Sequence, residues 1–586
     1  MKRETIIVLA AASLGVAALY ACGGDGGSSS NPANDAGGNG DATSPPPPPP
    51  GGGDDGGAQD GGGDGGTTSC LGGNCIEALT EHYDNARTGL YGAESKLKPT
   101  NVNEAMFGKA FELTVDGKVD AQPLYLQAVA IAGKGTHDVI YVVTEHDSIY
   151  AFDANAAGAP LWQVSALGAG EAPSDDRGCD QVTPEMGITA TPVIDRTTGT
   201  MYVVAMSKKG GTYHQRLHAI DITSGAEKLG GPKEIVATYP GSTSSEGNGT
   251  TLTFDPKQHK ERSALLLDHG RVYTSWSSHC DFDPYTGWVM AHDEATLAVV
   301  AIWNTEPNGA EASFWSAGAG PAADSAGNVY HMSGNGGFDT TLTAGGFPNQ
   351  SNYGNSFVKL ATSSTTIGLT DYFTMGDEVA QSDADVDLGS GGVMLLPDAV
   401  GSAAHPHLLV GSGKDGHLYL LDRDKMGHFA PGGGNAGAVQ DVPNATATAF
   451  TSDTGEFGAP AYFDGAIYFG GVGEPLERWT IANATIATPH ASETSDSFGF
   501  PGTTPTISWD GTDKTTAIVW AHENTSPMTL HAYSAADLAT EYWNSAQAAG
   551  QRDVPTGAGN KFIIPLVANG RVYVGTQSSV VVYGSR

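Results

Sequence analysis

Basic side chains are scarce in this chain: 29 lysines and arginines stand against 65 aspartates and glutamates, a formal net charge of −36. That deficit excludes non-specific nucleic-acid binding, which needs a basic face for phosphates. It also argues against docking on anionic lipid through a polybasic patch. Charge of either sign is thin, at 16% of residues, where about a quarter is usual. A long-helix protein would carry more Glu, Lys and Ala. Cysteines number five, with no CxxC spacing and no adjacent pair, so a cysteine-paired zinc site is excluded. What the chain has instead is glycine, 81 of 586 residues, about twice the usual ~7% share. High glycine with low charge points to a turn-rich, all-β protein.

The N-terminus reads as a targeting segment. Lys2 and Arg3 precede an apolar run from Ile6 to Ala21, shorter than the ~20 residues of a membrane-spanning helix and suited to a signal sequence. The run ends Leu19-Tyr20-Ala21-Cys22, which resembles a bacterial lipobox and implies lipidation of Cys22; Tyr20 is bulkier than that motif's usual residue. Residues 23–69 hold 17 Gly, seven Asp, six consecutive prolines (Pro45 to Pro50) and no Lys or Arg. Such a segment cannot build a core and is expected to be a disordered tether. The expected layout is a signal peptide over 1–21, a lipid-anchored tether over 22–69 and a folded part over 70–586. No Asp stands at Gly23 or Gly24, where it would resemble an inner-membrane retention signal, so the outer membrane or cell surface is the expected location.

The folded part repeats. A short apolar run with an aromatic, then a second strand ending in Asp or Tyr, recurs eight times, about 62 residues apart. Copies start at Val139, Gly199, Gly270, Gly327, Leu408, Gly465, Ala517 and Gly570. Pro-led strands precede several of them (Pro192, Pro460, Pro565), as fits the start of an innermost strand. Short strands at even spacing with glycine turns read as a β-propeller. Trp162, Trp303 and Trp543 fall where an outer strand packs on its neighbour.

The Tyr150-Ala151-Phe152-Asp153 and Leu418-Tyr419-Leu420-Leu421-Asp422-Arg423 endings, with Trp downstream, resemble the quinoprotein (PQQ-type) β-propeller repeat over nearly all of residues 80–584. The resemblance implies an eight-bladed propeller. For chemistry it implies pyrroloquinoline quinone beside a calcium ion at one end of the channel, although one fold hosts many functions. By the same resemblance Asn335 and Asp385 would be calcium ligands, Asp385 the catalytic base, and Asp387 and Lys414 contacts to the quinone. Three departures weaken that site. Ala384 replaces the stacking Trp before the catalytic Asp, the vicinal disulfide of alcohol-oxidising members is absent, and the second blade offers Lys208 and Lys209 where the family places a calcium Glu.

Two further loops carry chemistry-bearing residues: His279, Cys280, Asp281 and Asp283 in one, Cys179, Asp180 and Glu185 in the other. Neither has zinc spacing, and sequence adjacency does not make His279 a base for Cys280. With Cys22 lipidated, four cysteines allow three pairings. The short Cys70–Cys75 loop favours that bond, and the remainder is Cys179–Cys280, in an exported, oxidising setting. Three functions compete. The first is a surface-anchored binding or scaffold propeller with a degraded quinone and calcium pocket, taking a protein ligand. The second is an exported quinone- and calcium-dependent dehydrogenase of alcohols or sugars. The third is a carbohydrate binder using Trp276, Tyr285 and Trp288 as exposed platforms.

Overall fold

The computed structural model describes residues 77–586 except 180, 243–245 and 448–452. The expected signal peptide and tether, Cys22 and the expected Cys70–Cys75 bond lie outside the described residues. Eight sheets of four to six strands, each built on a four-stranded antiparallel core, form the blades of a propeller. Their innermost strands are Leu124–Ile131, Val193–Asp195, Leu266–Asp268, Ala322–Ala323, Val393–Leu395, Ala461–Phe463, Thr506–Ser508 and Leu566–Ala568, for blades 1 to 8 in chain order. Pro192, Pro460 and Pro565 stand immediately before three of them, where no ladder N–H is required.

The ring is shut by a strand from far away in sequence. Phe107–Thr114 forms the outer strand of blade 8 and pairs antiparallel with Ser579–Ser585. Closure of this kind leaves only short, protected sheet edges, which limits edge-to-edge association.

Four of the repeat tyrosines are staples to the following blade, whereas Tyr330 of blade 4 donates to Asp324 Oδ2 of its own blade. Tyr141 of blade 1 donates its hydroxyl to Ile222 O beyond the third strand of blade 2, and Tyr202 donates to Glu294 O of blade 3. Tyr468 of blade 6 reaches Ala535 O of blade 7, and Tyr573 of blade 8 returns to Ala154 O of blade 1. The ring thus packs apolar faces while these four buried hydroxyls each find a carbonyl. Trp162 lies over the turn of blade 2, donating to Ile222 O at 3.1 Å. Gly225 makes that approach feasible, because a Cβ there would stand 2.8 Å from the indole and its φ is +74°. Trp303 and Trp543 are likewise packed inside, 5% and 0% exposed.

Both faces of a blade are covered by its neighbours, and this overturns one expectation. Trp276 and Trp288 are fully buried and Tyr285 nearly so. Trp276 and Trp288 pack on Phe254 between blades 2 and 3. They are core residues, and the carbohydrate reading loses its platforms.

Residues 78–91 plug the channel. This segment hydrogen-bonds the innermost strand of every blade: Tyr125, Ile194, Ala323, Leu395, Tyr462 and Ile507 through its backbone, Leu267 through Asn85, and Val567 through the Tyr83 hydroxyl. In seven blades the partner is the second residue of the strand and in blade 5 the third, so all contacts lie at one level of the channel. Inner strands have an edge with no further strand to pair, and the plug accepts from one such N–H in seven blades and donates to a carbonyl in blade 3. Arg87, fully buried, is the plug's centre. It donates to Pro321 O, Thr80 Oγ1, Glu81 O and Leu265 O and pairs with Glu81 at 3.4 Å.

Candidate functional site

The segments that lead into the innermost strands converge on the axis, at the end of the channel away from the plug. There they line an open cavity of about 90 Å³, with Gln181, Arg262, Asp281, Trp315, Asp387, Lys414, Phe457, Phe500, Lys561 and Phe562 among its walls.

The four residues singled out by family resemblance meet at one side of it. Asn335 follows the second strand of blade 4, Asn328–Met332; Asp385 and Asp387 follow the short helix Glu378–Asp383; Lys414 follows Leu408–Gly411 of blade 5. The Lys414 ammonium lies 2.6 Å from Asp387 Oδ2 and 3.2 Å from Asp385 Oδ1. The Asn335 amide N–H donates to Asp387 Oδ1 at 2.7 Å, and its side-chain Nδ2 donates to Asp385 Oδ1 at 2.8 Å. Burial pulls the Lys414 pKa down, but the two carboxylates outweigh it and leave the ammonium above its usual value. Asp385 is raised, by burial first and by the Asp387 charge, against the pull of Lys414. Asp385 holds φ +57° and its side chain is 59% exposed, so it is the member free to meet a ligand.

A calcium ion takes hard oxygen donors, and Asp385, Asp387 and Asn335 Oδ1 supply that chemistry. Two features limit it. Lys414 already balances charge on the carboxylates, and Asn335 Oδ1 is turned toward Asn355 Nδ2, 3.3 Å away. Lys208 and Lys209 do not oppose a cation here, contrary to expectation. Lys208 pairs with Asp175 at 2.7 Å and Lys209 donates to Ala169 O, and neither lines the cavity.

A stacking surface exists despite Ala384, which sits exposed at the end of the short helix. The aromatic walls come from Trp315, Phe457, Phe500 and Phe562 instead. Phe457 and Phe500 meet edge to face at 5.2 Å. Each cation has a ring beneath it: Arg262 over Phe562 at 4.2 Å, Lys561 over Phe500 at 5.6 Å, Lys414 over Phe457 at 5.8 Å. Burial pulls Arg262 down to about 10. Sequence reasoning missed these walls. Arg262, Phe457 and Phe562 each stand four residues before an innermost strand, an offset that could have pointed to them.

Cys179 and Cys280 form a disulfide with Cα atoms 5.9 Å apart, joining the blade 1–2 connection to the central hairpin of blade 3. Their neighbours Gln181 and Asp281 are cavity residues, so the bond fixes one side of the mouth. His279 is buried and its Nε2–H donates to Asp176 O, 2.6 Å away; burial lowers its pKa to about 4. With Cys280 oxidised, no thiol nucleophile faces it. Glu185 pairs with His146 at 2.8 Å, and Asp283 is exposed. Asp180 is outside the described residues.

No family model matches the sequence, and no curated protein matches it. Solved structures do resemble the fold. Quinohemoprotein alcohol dehydrogenase ADHIIG from Pseudomonas putida HK5 superposes with a TM-score of 0.52 at 15% identity, over 87% of this chain and 80% of that one. A europium-containing methanol dehydrogenase gives 0.54 at 11% identity, over 87% and 98%. BamB from Moraxella catarrhalis gives 0.45 at 13% identity, over 82% and 97%. At such identities the likeness is one of architecture, and the chain has the eight-bladed fold of the quinoprotein-type β-propellers.

Proposed function

We propose that this chain is a lipid-anchored, exported propeller whose axial cavity binds a small planar polyanion without turning it over. One observation carries the reading: three cations, Lys414, Arg262 and Lys561, each set over an aromatic ring, converge on a single open cavity. Aromatic faces favour a flat ring system, and clustered cations favour carboxylates on its rim. Quinone-class tricarboxylates have that shape and charge. Lys414, Asp385 and Asp387 form a closed ion-pair set, which supports binding over catalysis, because the two carboxylates are engaged before any metal arrives.

A second reading, a quinone- and calcium-dependent dehydrogenase, is favoured by the convergence of Asn335, Asp385, Asp387 and Lys414. With both groups bound, the quinone would accept hydride equivalents while calcium polarised its carbonyl. In that reading Asp385 would take the substrate proton and Lys414 would hold the quinone oxygens.

Calorimetry with pyrroloquinoline quinone, with and without calcium, tests both. We expect binding that weakens at least tenfold in Lys414→Ala, about 1.4 kcal/mol, and no dye-linked oxidation of alcohols or sugars in either condition. Calcium-dependent turnover that disappears in Asp385→Asn would install the dehydrogenase instead; absence of quinone binding would refute both.

Anchoring rests on the apolar run, Cys22 and the glycine- and proline-rich segment after it. Cys22→Ser should release the protein from the membrane fraction of its host. Retention of that variant after carbonate washing would sink the lipoprotein reading.

A further inference from the structure

Behind the cavity wall lies a second carboxylate pair that the proposed function does not use. Glu306, just beyond the outer strand Val299–Asn304 of blade 3, is fully buried. Neither of its carboxylate oxygens has a hydrogen-bond partner. The amides that face it, those of Tyr353 and Gly354, already donate to Thr305 O and Gly337 O. Glu378, first residue of the helix Glu378–Asp383, is 1% exposed. Its Oε1 accepts from Ser382 Oγ at 2.9 Å, and its Oε2 has no partner.

Gly354 stands between the two acids. Its amide faces Glu306, and a Cβ on it would lie 3.0 Å from Glu378 Oε1 and 2.5 Å from Gly336 O. On the other side a Cβ on Gly309 would overlap Glu306 Oε2, and one on Gly337 would lie 3.2 Å from the same oxygen. The acids therefore sit in a cradle of glycines, with the Gly336 carbonyl turned toward the same space. No lysine, arginine or histidine among the described residues forms an ion pair with either carboxyl. Two neighbouring carboxylates sealed from water, with three of their four oxygens unpartnered, are strongly unfavourable unless protons or a cation compensate them. The unpartnered atoms are all hard oxygens, the donor type that calcium takes from carboxylates and backbone carbonyls.

We propose that Glu306 and Glu378 together hold one divalent cation of the calcium class, sealed behind the axial cavity. The ion would brace the helix Glu378–Asp383 against the glycine cradle. A hydrogen-bonded chain connects that point to the cavity: Glu378 to Ser382 Oγ, Ser382 Oγ to Asn355 Nδ2 at 3.1 Å, and Asn355 Nδ2 to Asn335 Oδ1. The same helix leads into Asp385 and Asp387, so the ion's role is to position the cavity's acidic side.

The test uses the full chain purified in calcium-containing buffer, passed over a chelating resin, and measured by elemental analysis and thermal unfolding. We expect one tightly held calcium per chain. It should survive in the Asp385→Asn/Asp387→Asn double variant, which separates it from any ion in the cavity, and be lost in Glu306→Gln and in Glu378→Gln. Prolonged EDTA treatment should lower the melting temperature of the wild type, with calcium restoring it, while either Gln variant ignores both. If one Gln variant does not fold, the other and the wild-type response to EDTA still decide. A metal-free wild type whose melting temperature is indifferent to calcium and EDTA would overturn the proposal and leave protons as the compensating charge. Calcium lost only in the Asp385→Asn/Asp387→Asn variant would do the same.

Discussion

Replacing Arg87 by Ala should destabilise the propeller by about 3–5 kcal/mol, the range for removing one partner of a buried ion pair. Arg87 is fully buried, and its guanidinium ties Glu81 and Thr80 of the plug to carbonyls before blades 3 and 4. Its removal strands the buried Glu81 carboxylate, whose Oε1 already lacks a hydrogen-bond donor, and empties a space held close by Gly320, where a Cβ would lie 2.5 Å from Nη2. Burial itself lowers the arginine's pKa, a sign that the charge is costly without its partner. Urea unfolding followed by tryptophan fluorescence measures the loss. The Arg87→Ala/Glu81→Gln double variant should recover part of it, because the stranded charge is then gone. A loss below about 1 kcal/mol, the level of an exposed ion pair, would show that the plug does not contribute to the stability of the ring.

The second large effect is expected at Phe107, the first residue of the closing strand. Its ring is fully buried, 4.8 Å from Trp543 in an edge-on contact and 5.5 Å from Trp520. Phe107→Ala should cost about 3–5 kcal/mol through lost burial and the cavity left between blades 7 and 8. Unlike the Arg87 change, it acts at the seam. Hydrogen exchange should quicken first in Phe107–Thr114 and Ser579–Ser585, while the inner strands of blades 3 to 5 keep their protection. Uniform loss of protection around the ring would mean that the seam and the blades open as one unit.

The repeat was legible because most blades share a local pattern: a glycine turn, an aromatic on the second strand and a Pro-led inner strand. The closing strand was not, because its partner lies at the opposite end of the chain and nothing in Phe107–Thr114 marks it as belonging to blade 8. The plug reads as a polar loop, since His82, Asp84, Asn85 and Arg87 find partners only when eight separate strands surround them. Trp276 looked exposed because it stands in a polar run from Thr274 to Ser278, and such a run signals a wet face only in a sheet with one covered side. At the cavity, the motif-bearing Asn335, Asp385, Asp387 and Lys414 were readable and do come together. Phe457, Phe500 and Phe562 were not, as single aromatics in turn segments without periodicity. Their convergence is a property of the ring and not of any one blade.

The seam also sets an order of events. Phe107 pairs with Ser585, and Arg586 N donates to Met106 O at 2.9 Å, so the ring can shut only after the last blade has been synthesised and has found a strand made long before. Loop closure over such a span adds entropy cost only logarithmically, but contacts this distant in sequence make folding slow. The cavity is assembled from residues on nearly every side of the axis, and it exists only in the closed ring. A ligand that binds there therefore acts as a clamp. It favours the closed form over every open one by mass action, about 2.7 kcal/mol at a hundredfold excess over Kd, and lengthens the life of the sealed propeller without touching the seam.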